Sequence, residues 1–161
     1  MDPTERDHLI DEVHAGRLMQ LATLDAEGQP QMCHVWYAAT FSPDRLLFIS
    51  RATREHSRNL RTDARVAGAI IADVPTGLGE TVRGVSFTGT ATEVPPPDLD
   101  ERVATFLDRW PQASAHINAA ALRDGTSPSR LYQITVTGWI LFDEQHYPDQ
   151  PRRLLAAEQQ P

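Results

Sequence analysis

The sequence predicts a mainly β protein, a closed or split barrel of about six antiparallel strands with flanking helices. Three observations carry this expectation. Apolar or alternating runs bounded by turn residues recur at Arg17 to Leu24, Gln31 to Ala39, Leu46 to Ser50, Arg65 to Ala72, Val82 to Val94 and Leu131 to Phe142. The first three are joined by tight turns and so form a meander. Later strands flank two helical insertions, an order that suits a barrel carrying helices on its outside.

Pro3 to Ala15 reads as a short helix, with Leu9, Ile10 and Val13 on one face, an acidic first turn and Gly16 as the stop; it is expected to cover a barrel end. Asp25-Ala26-Glu27-Gly28-Gln29-Pro30 turns the first strand into the second, and Ser42-Pro43-Asp44-Arg45 turns the second into the third. A helix follows around Glu55 to Arg61. Arg65 to Ala72 is nearly all apolar, as a buried strand requires, whereas Val82 to Val94 alternates and stops at Pro95-Pro96-Pro97. Asp98 to Trp110 has the clearest helical pattern: Asp98 is placed to cap it, Glu101 lies three residues on, and Leu99, Val103, Phe106 and Leu107 make an apolar face. Pro111 breaks it. Gln112 to Leu122 reads as a weaker, Ala-rich helix closed by Asp124-Gly125, and Leu131 to Phe142 as the last long strand. One domain over 1–144 is expected, with 145–161, carrying Pro148, Pro151 and Pro161, as an irregular tail.

Composition excludes several classes of chemistry. With 22 acidic against 15 basic side chains the net charge is −7, which opposes general attraction to nucleic acid or anionic membranes, so any anion site must be local. All 15 basic residues are Arg. Without Lys there is no Schiff-base catalysis, no lysine nucleophile and no Walker-type phosphate loop. Gly77-Leu78-Gly79 and Gly84 do not lie between a strand and a helix, as a dinucleotide fingerprint requires. Cys33 is the only cysteine, which excludes an intramolecular disulfide and a thiolate zinc cluster and fits a cytoplasmic protein. The N-terminal segment lacks an export pattern and no apolar run reaches membrane length, so neither export nor insertion is expected. His8, His14, His116 and His146 occur singly, without metal-site spacing.

The densest chemistry lies where the third strand enters the following helix. Ser50, Thr53 and Ser57 offer hydroxyls, Arg51 and Arg54 offer charged donors, and the helix start adds free N–H groups, a combination suited to phosphate. Thr53 equally suits a helix N-cap, and Arg54, Arg58 and Arg61 equally fit a solvated helix face. Context favours a ligand: His34, Trp36 and Tyr37 on the second strand and Arg83-Gly84 at a later strand start supply cationic and aromatic groups for an aromatic phosphorylated molecule. Trp36 and Tyr37 are strand neighbours and so face opposite sides, which places one of them in the core. Cys33, Trp110 and Trp139 read as packing residues.

The succession His34-Val35-Trp36-Tyr37, Leu47-Phe48-Ile49-Ser50, Asn59-Leu60, Asp63-Ala64-Arg65-Val66-Ala67-Gly68 resembles the flavin-binding split barrel of the pyridoxamine 5′-phosphate oxidase superfamily. Val82-Arg83-Gly84-Val85-Ser86-Phe87-Thr88-Gly89, Phe106 to Ala113 and Leu131-Tyr132-Gln133-Ile134 are similar to a small bacterial subfamily, so the resemblance runs from about Gly16 to Phe142. It implies an FMN phosphate near Ser50, Arg54, His56 and Ser57, with Arg51 close by in sequence. It further implies the isoalloxazine edge against the backbone of Val35, Trp36 and Tyr37 beside His34, with Arg83 facing the flavin. His34 stands where the family usually has Arg, His56 where it commonly has Lys, and Ala39 replaces a further Lys; Arg51 and Arg54 offset the missing charge.

What the resemblance implies is an FMN-dependent oxidoreductase acting on a small molecule, working as a homodimer with flavin at the interface. Pyridoxamine phosphate is not the expected substrate, because the tail offers only Arg152-Arg153 where the true oxidases have a basic, aromatic phosphate clamp. Two other classes share the barrel: a flavin- or haem-binding protein without turnover, with His34, His56 or His116 as candidate axial ligands, and a deazaflavin-dependent reductase.

Overall fold

A computed structural model describes residues 4–159. Its elements are α1 (Glu5–Ala15), β1 (Leu18–Leu24), β2 (Pro30–Thr40), β3 (Arg45–Arg51), α2 (Glu55–Thr62), β4 (Arg65–Ile70), β5 (Arg83–Glu93), α3 (Leu99–Arg109), α4 (Ala119–Arg123), β6 (Ser129–Asp143) and β7 (Arg152–Ala156), with short 3-10 segments at Pro96–Asp98 and Pro111–Ala115. The strands are antiparallel in the order β3-β2-β1-β4-β5-β6-β7, and β3 also pairs with β6. That pairing closes six strands into the expected barrel and leaves β7 as an outer edge strand.

Strand alternation builds the interior. Met19, Leu21, Tyr37, Leu46, Phe48, Ile134, Val136 and Trp139 are all buried there, joined by Leu9 and Val13 of α1, which plugs one end. Leu46-Leu47-Phe48 is buried on both faces because α3 and α4 lie on the outside. Ala38, Leu47 and Leu131 meet Leu99, Val103, Phe106 and Leu122 there in a second core. Thr4 and Asp7 form a capping box at the start of α1, and the N–H of Gly16 closes its end on the Glu12 carbonyl. The β1–β2 turn needs a left-handed residue, which Gly28 supplies at φ +80°.

Asp44, with no exposed surface, knots the chain ends to the barrel. It accepts from Arg6 Nη1 at 2.9 Å, Trp139 Nε1 at 2.7 Å and the Glu158 N–H at 3.1 Å. Burial alone would raise its carboxyl; the bonds from Arg6, Trp139 and Glu158 outweigh burial and hold it below the ordinary carboxylate range.

Three expectations need correction. Residues 145–159 belong to the fold: β7 pairs with β6 from Gly138↔Ala156 to Phe142↔Arg152, and an edge strand tolerates the neighbouring Pro151 because only one of its sides is paired. Gln112 to Leu122 is not one helix, since the chain becomes extended at Asn118, whose side chain caps α4 by accepting from the Ala121 N–H at 2.9 Å. Asp98 sits at the N-cap of α3 without capping it, because its backbone is already helical as the last residue of the 3-10 turn. No helix among the described residues is long and apolar enough to cross a membrane.

Candidate functional site

The barrel is split between β2 and β3. Their ladder covers only Tyr37↔Phe48 to Thr40↔Arg45. Beyond it, Pro30–Trp36 pairs with β1 alone and Ile49–Arg51 with β6 alone, so the facing edge of β2 carries main-chain donors and acceptors that no strand uses. Alternation sends Val35 and Tyr37 inward and leaves His34 and Trp36 exposed. The Tyr37 ring is committed to the core, its hydroxyl donating to the Val13 carbonyl at 2.5 Å, so only its main chain is on offer. Even its carbonyl has a partner, Trp110 Nε1 at 2.7 Å.

Ser50 ends β3 and faces the first turn of α2, where its hydroxyl lies 2.6 Å from His56 Nε2. Asn59 Nδ2 donates to Thr23 Oγ1 at 3.1 Å, a buried bond that pins α2 to β1 and fixes this corner. Ser57 is fully buried and its hydroxyl has no hydrogen-bond partner among the described residues. Burial, then the Arg54 charge, push the His56 imidazole below its ordinary value against a smaller opposing pull from Glu55. The first intrahelical bond runs from the Arg58 N–H to the Arg54 carbonyl. The N–H groups ahead of it therefore point out of the helix start.

The arginines of this corner divide by what they hold. Arg58 Nη1 donates to the Thr53 carbonyl at 2.9 Å and Arg61 Nη2 to the Ala52 carbonyl at 2.7 Å, so both brace the β3–α2 loop. Arg51 and Arg54 are exposed, and their side chains make no hydrogen bond or ion pair among the described residues. Thr53 is not the cap: Arg54 occupies that position, and no side chain caps α2. The outcome is an uncapped helix start flanked by two free cations, a buried unpartnered hydroxyl and a Ser–His pair, an arrangement suited to an anion with several oxygens.

Beside the split, Trp36, Ile49, Phe106, Trp110, Gln112 and Ile117 line a pocket of about 340 Å³. Trp36, 52% exposed, meets Trp110 edge to face with centroids 4.8 Å apart. Trp110, read from sequence as packing, thus both packs and lines the pocket. Its helix end is brought to β2 only by the second core, a contact that no local pattern announces.

A family profile described as pyridoxamine 5′-phosphate oxidase matches residues 6–143. The chain belongs to that family. No curated protein sequence matches it. Among solved structures it is similar to a haem-binding protein from Mycobacterium smegmatis, with a TM-score of 0.77 and 20% identity over 97% of this chain and 59% of that one. It is also similar to a FAD-binding protein from Mesorhizobium loti (TM-score 0.62, 17% identity, 85% and 92% covered) and to an F420 reductase (TM-score 0.57, 19% identity, 86% and 98% covered). At these identities the likenesses establish the barrel; the chain spans about three fifths of the mycobacterial protein.

Of the residues expected from sequence to hold the cofactor, Ser50, Arg51, Arg54, His56 and Ser57 gather at one corner, and His34, Val35, Trp36 and Tyr37 lie along the split. Arg83 does not join them within one chain. Across β6 it pairs with Asp143, whereas Arg51 pairs with Ser129 at the other end of the same strand. Arg83 Nη2 lies 3.1 Å from Glu12 Oε2, and Glu12 is itself buried, so this cation neutralises a buried carboxylate. Trp139 is core, as expected, while half-buried Cys33 has its thiol pushed up to about 11 by burial.

Proposed function

We propose that this family member is an FMN-binding oxidoreductase acting on a small molecule other than pyridoxamine phosphate. The observation that carries the reading is the corner of Ser50, His56 and Ser57 with Arg51 and Arg54 free beside it, next to the unpaired edge of β2. A buried hydroxyl without a partner costs about 1–3 kcal/mol, and a phosphate oxygen would relieve it at Ser57. Arg51 and Arg54 supply charge, the helix start supplies N–H donors, and the free main chain of Val35 and Trp36 suits the polar edge of a flavin ring. Trp36 and Trp110 give the neighbouring pocket an aromatic wall against which a planar ring would pack. When bound, the flavin supplies the hydride- or electron-transfer chemistry, and the protein orients and dries its surroundings. Arg153 donates to Glu5, which leaves Arg152 as the one tail arginine without an ion-pair partner among the described residues, a thin basis for a substrate-phosphate clamp that supports a different substrate.

Two copies complete the site in this reading. Gly68, Ser86, Thr88, Gly138 and Leu154 lie along a groove of about 490 Å³ on β4 to β7, where exposed Leu154 offers a second copy an apolar contact. The 82–94 strand of one copy would then approach the split of the other. Sedimentation with and without FMN tests this: FMN should favour the dimer, and a monomer holding one tight FMN refutes it.

A second reading, haem binding without turnover, rests on the exposed imidazole of His34 beside the unpaired edge and on what the mycobacterial relative binds. The absorption spectrum of the purified or reconstituted protein separates them. Oxidised FMN bands with quenched fluorescence are expected; a Soret band or a deazaflavin spectrum overturns the FMN reading.

A further inference from the structure

At the barrel end plugged by α1, three potential metal ligands meet that the sequence scatters. His8 on α1, Asp143 at the end of β6 and His146 in the following turn each offer an atom within 4.8 Å of the others. Asp143 is fully buried and held by its own turn: Oδ1 accepts the N–H groups of Gln145 and His146, both at 3.0 Å, and Oδ2 lies 2.7 Å from His146 Nδ1. The His8 ring lies over that of His146 at 3.9 Å with 20° between planes.

Local charge leaves this carboxylate available. Arg83 makes its close contact with Glu12 at 3.1 Å and reaches Asp143 only at 3.9 Å. Arg153 donates to Glu5, and Glu144 accepts the Val82 N–H at 2.7 Å. Arg83 and Arg153 are therefore each held more closely by another carboxylate than by Asp143.

We propose that His8, Asp143 and His146 form a site for a divalent ion of the zinc, cobalt or nickel type, tying α1 to the β6–β7 turn. Two imidazoles and one carboxylate suit these borderline ions, whereas magnesium and calcium prefer all-oxygen sites. Three protein ligands leave a position for water. Binding replaces the Asp143–His146 hydrogen bond with two metal bonds, uses both imidazoles unprotonated, and turns His8 edge-on from the stack. Ligand bonds of about 2.0–2.2 Å draw the three donor atoms together from their present spread. The backbone bonds to Oδ1 orient the ligand carboxylate, as outer-shell donors do in metal sites.

The test uses the untagged full chain after chelator treatment, titrated with CoCl₂ and ZnCl₂ and followed by visible absorption, calorimetry and thermal melting. One Co²⁺ per chain with ligand-field bands, displaced by Zn²⁺, is expected, together with a higher melting temperature in Zn²⁺ but not in Mg²⁺. His8→Ala and His146→Ala should each weaken Zn²⁺ by tenfold or more, while His14→Ala leaves it unchanged. Histidine NMR resonances of the wild type provide a readout that needs no variant: those of His8 and His146 should shift with one equivalent of Zn²⁺. Absence of a one-to-one complex, or binding that survives both substitutions, overturns the site.

Discussion

Replacing Arg54 with Ala separates phosphate binding from folding. The Arg54 side chain is exposed, makes no hydrogen bond or ion pair among the described residues, and caps nothing, so stability should change by less than about 0.5 kcal/mol. A charge-assisted hydrogen bond to phosphate contributes about 1.5–3 kcal/mol, and solvent screening at an exposed position puts Arg54 at the low end. That is about a tenfold weakening of FMN, since roughly 1.4 kcal/mol corresponds to one decade. Titration by flavin fluorescence quenching at two salt concentrations measures it, with riboflavin as the ligand lacking phosphate. FMN affinity should fall and lose much of its salt dependence, while riboflavin affinity stays put. Superimposable FMN curves for wild type and variant refute the assignment. Arg58→Ala is the contrasting case, because its guanidinium braces the Thr53 carbonyl, so its first effect should be on stability.

Two further outcomes follow from titrating groups. His56 has its pKa depressed in the free protein by burial and Arg54, and a phosphate dianion beside it would favour the protonated ring. Binding should then take up a proton, so FMN affinity rises as pH falls from 8 towards 6.5, by at most about tenfold per pH unit; riboflavin should show no such slope, and a slope retained in His56→Ala would assign it elsewhere. Asp44→Asn removes the buried charge that pairs with Arg6 and should cost about 3 kcal/mol in urea denaturation. Because the folded Asp44 carboxyl lies below its ordinary value of 3.8, its stabilisation is full above pH 3.8 and disappears as pH falls further; an Asn variant with unchanged acid unfolding would show that Asp44 is not the group responsible.

Features that depend on neighbours in sequence were legible; those that depend on register were not. The alternation through Leu131 to Phe142 and the apolar Leu46 to Ile49 define strands locally, and the hydroxyls and arginines of residues 50–57 gather at one corner because they share one strand-to-helix junction. Which arginines stay free is different. Arg58 and Arg61 are consumed by carbonyls of the preceding loop, a geometry visible only once α2 is pinned by Asn59 to Thr23. Arg83 was recognisable as a strand start, but its place opposite Asp143, not near Ser50, follows from the β5–β6 register. β7 escaped because Pro148 and Pro151 immediately precede a short stretch opening on two arginines, whose pairing partner is already an internal strand. The meeting of His8 with His146 joins the two ends of the chain and leaves no spacing to read.

A phosphate-selective flavin site at Ser50–Ser57 is tested by the ratio of FMN to riboflavin affinity for the wild-type protein, obtained by parallel fluorescence titrations at pH 7 and low salt. FMN should bind tighter by at least tenfold if Ser57, the helix start and Arg54 all engage the phosphate. Equal affinities would contradict it and move the flavin, if one binds, away from this corner.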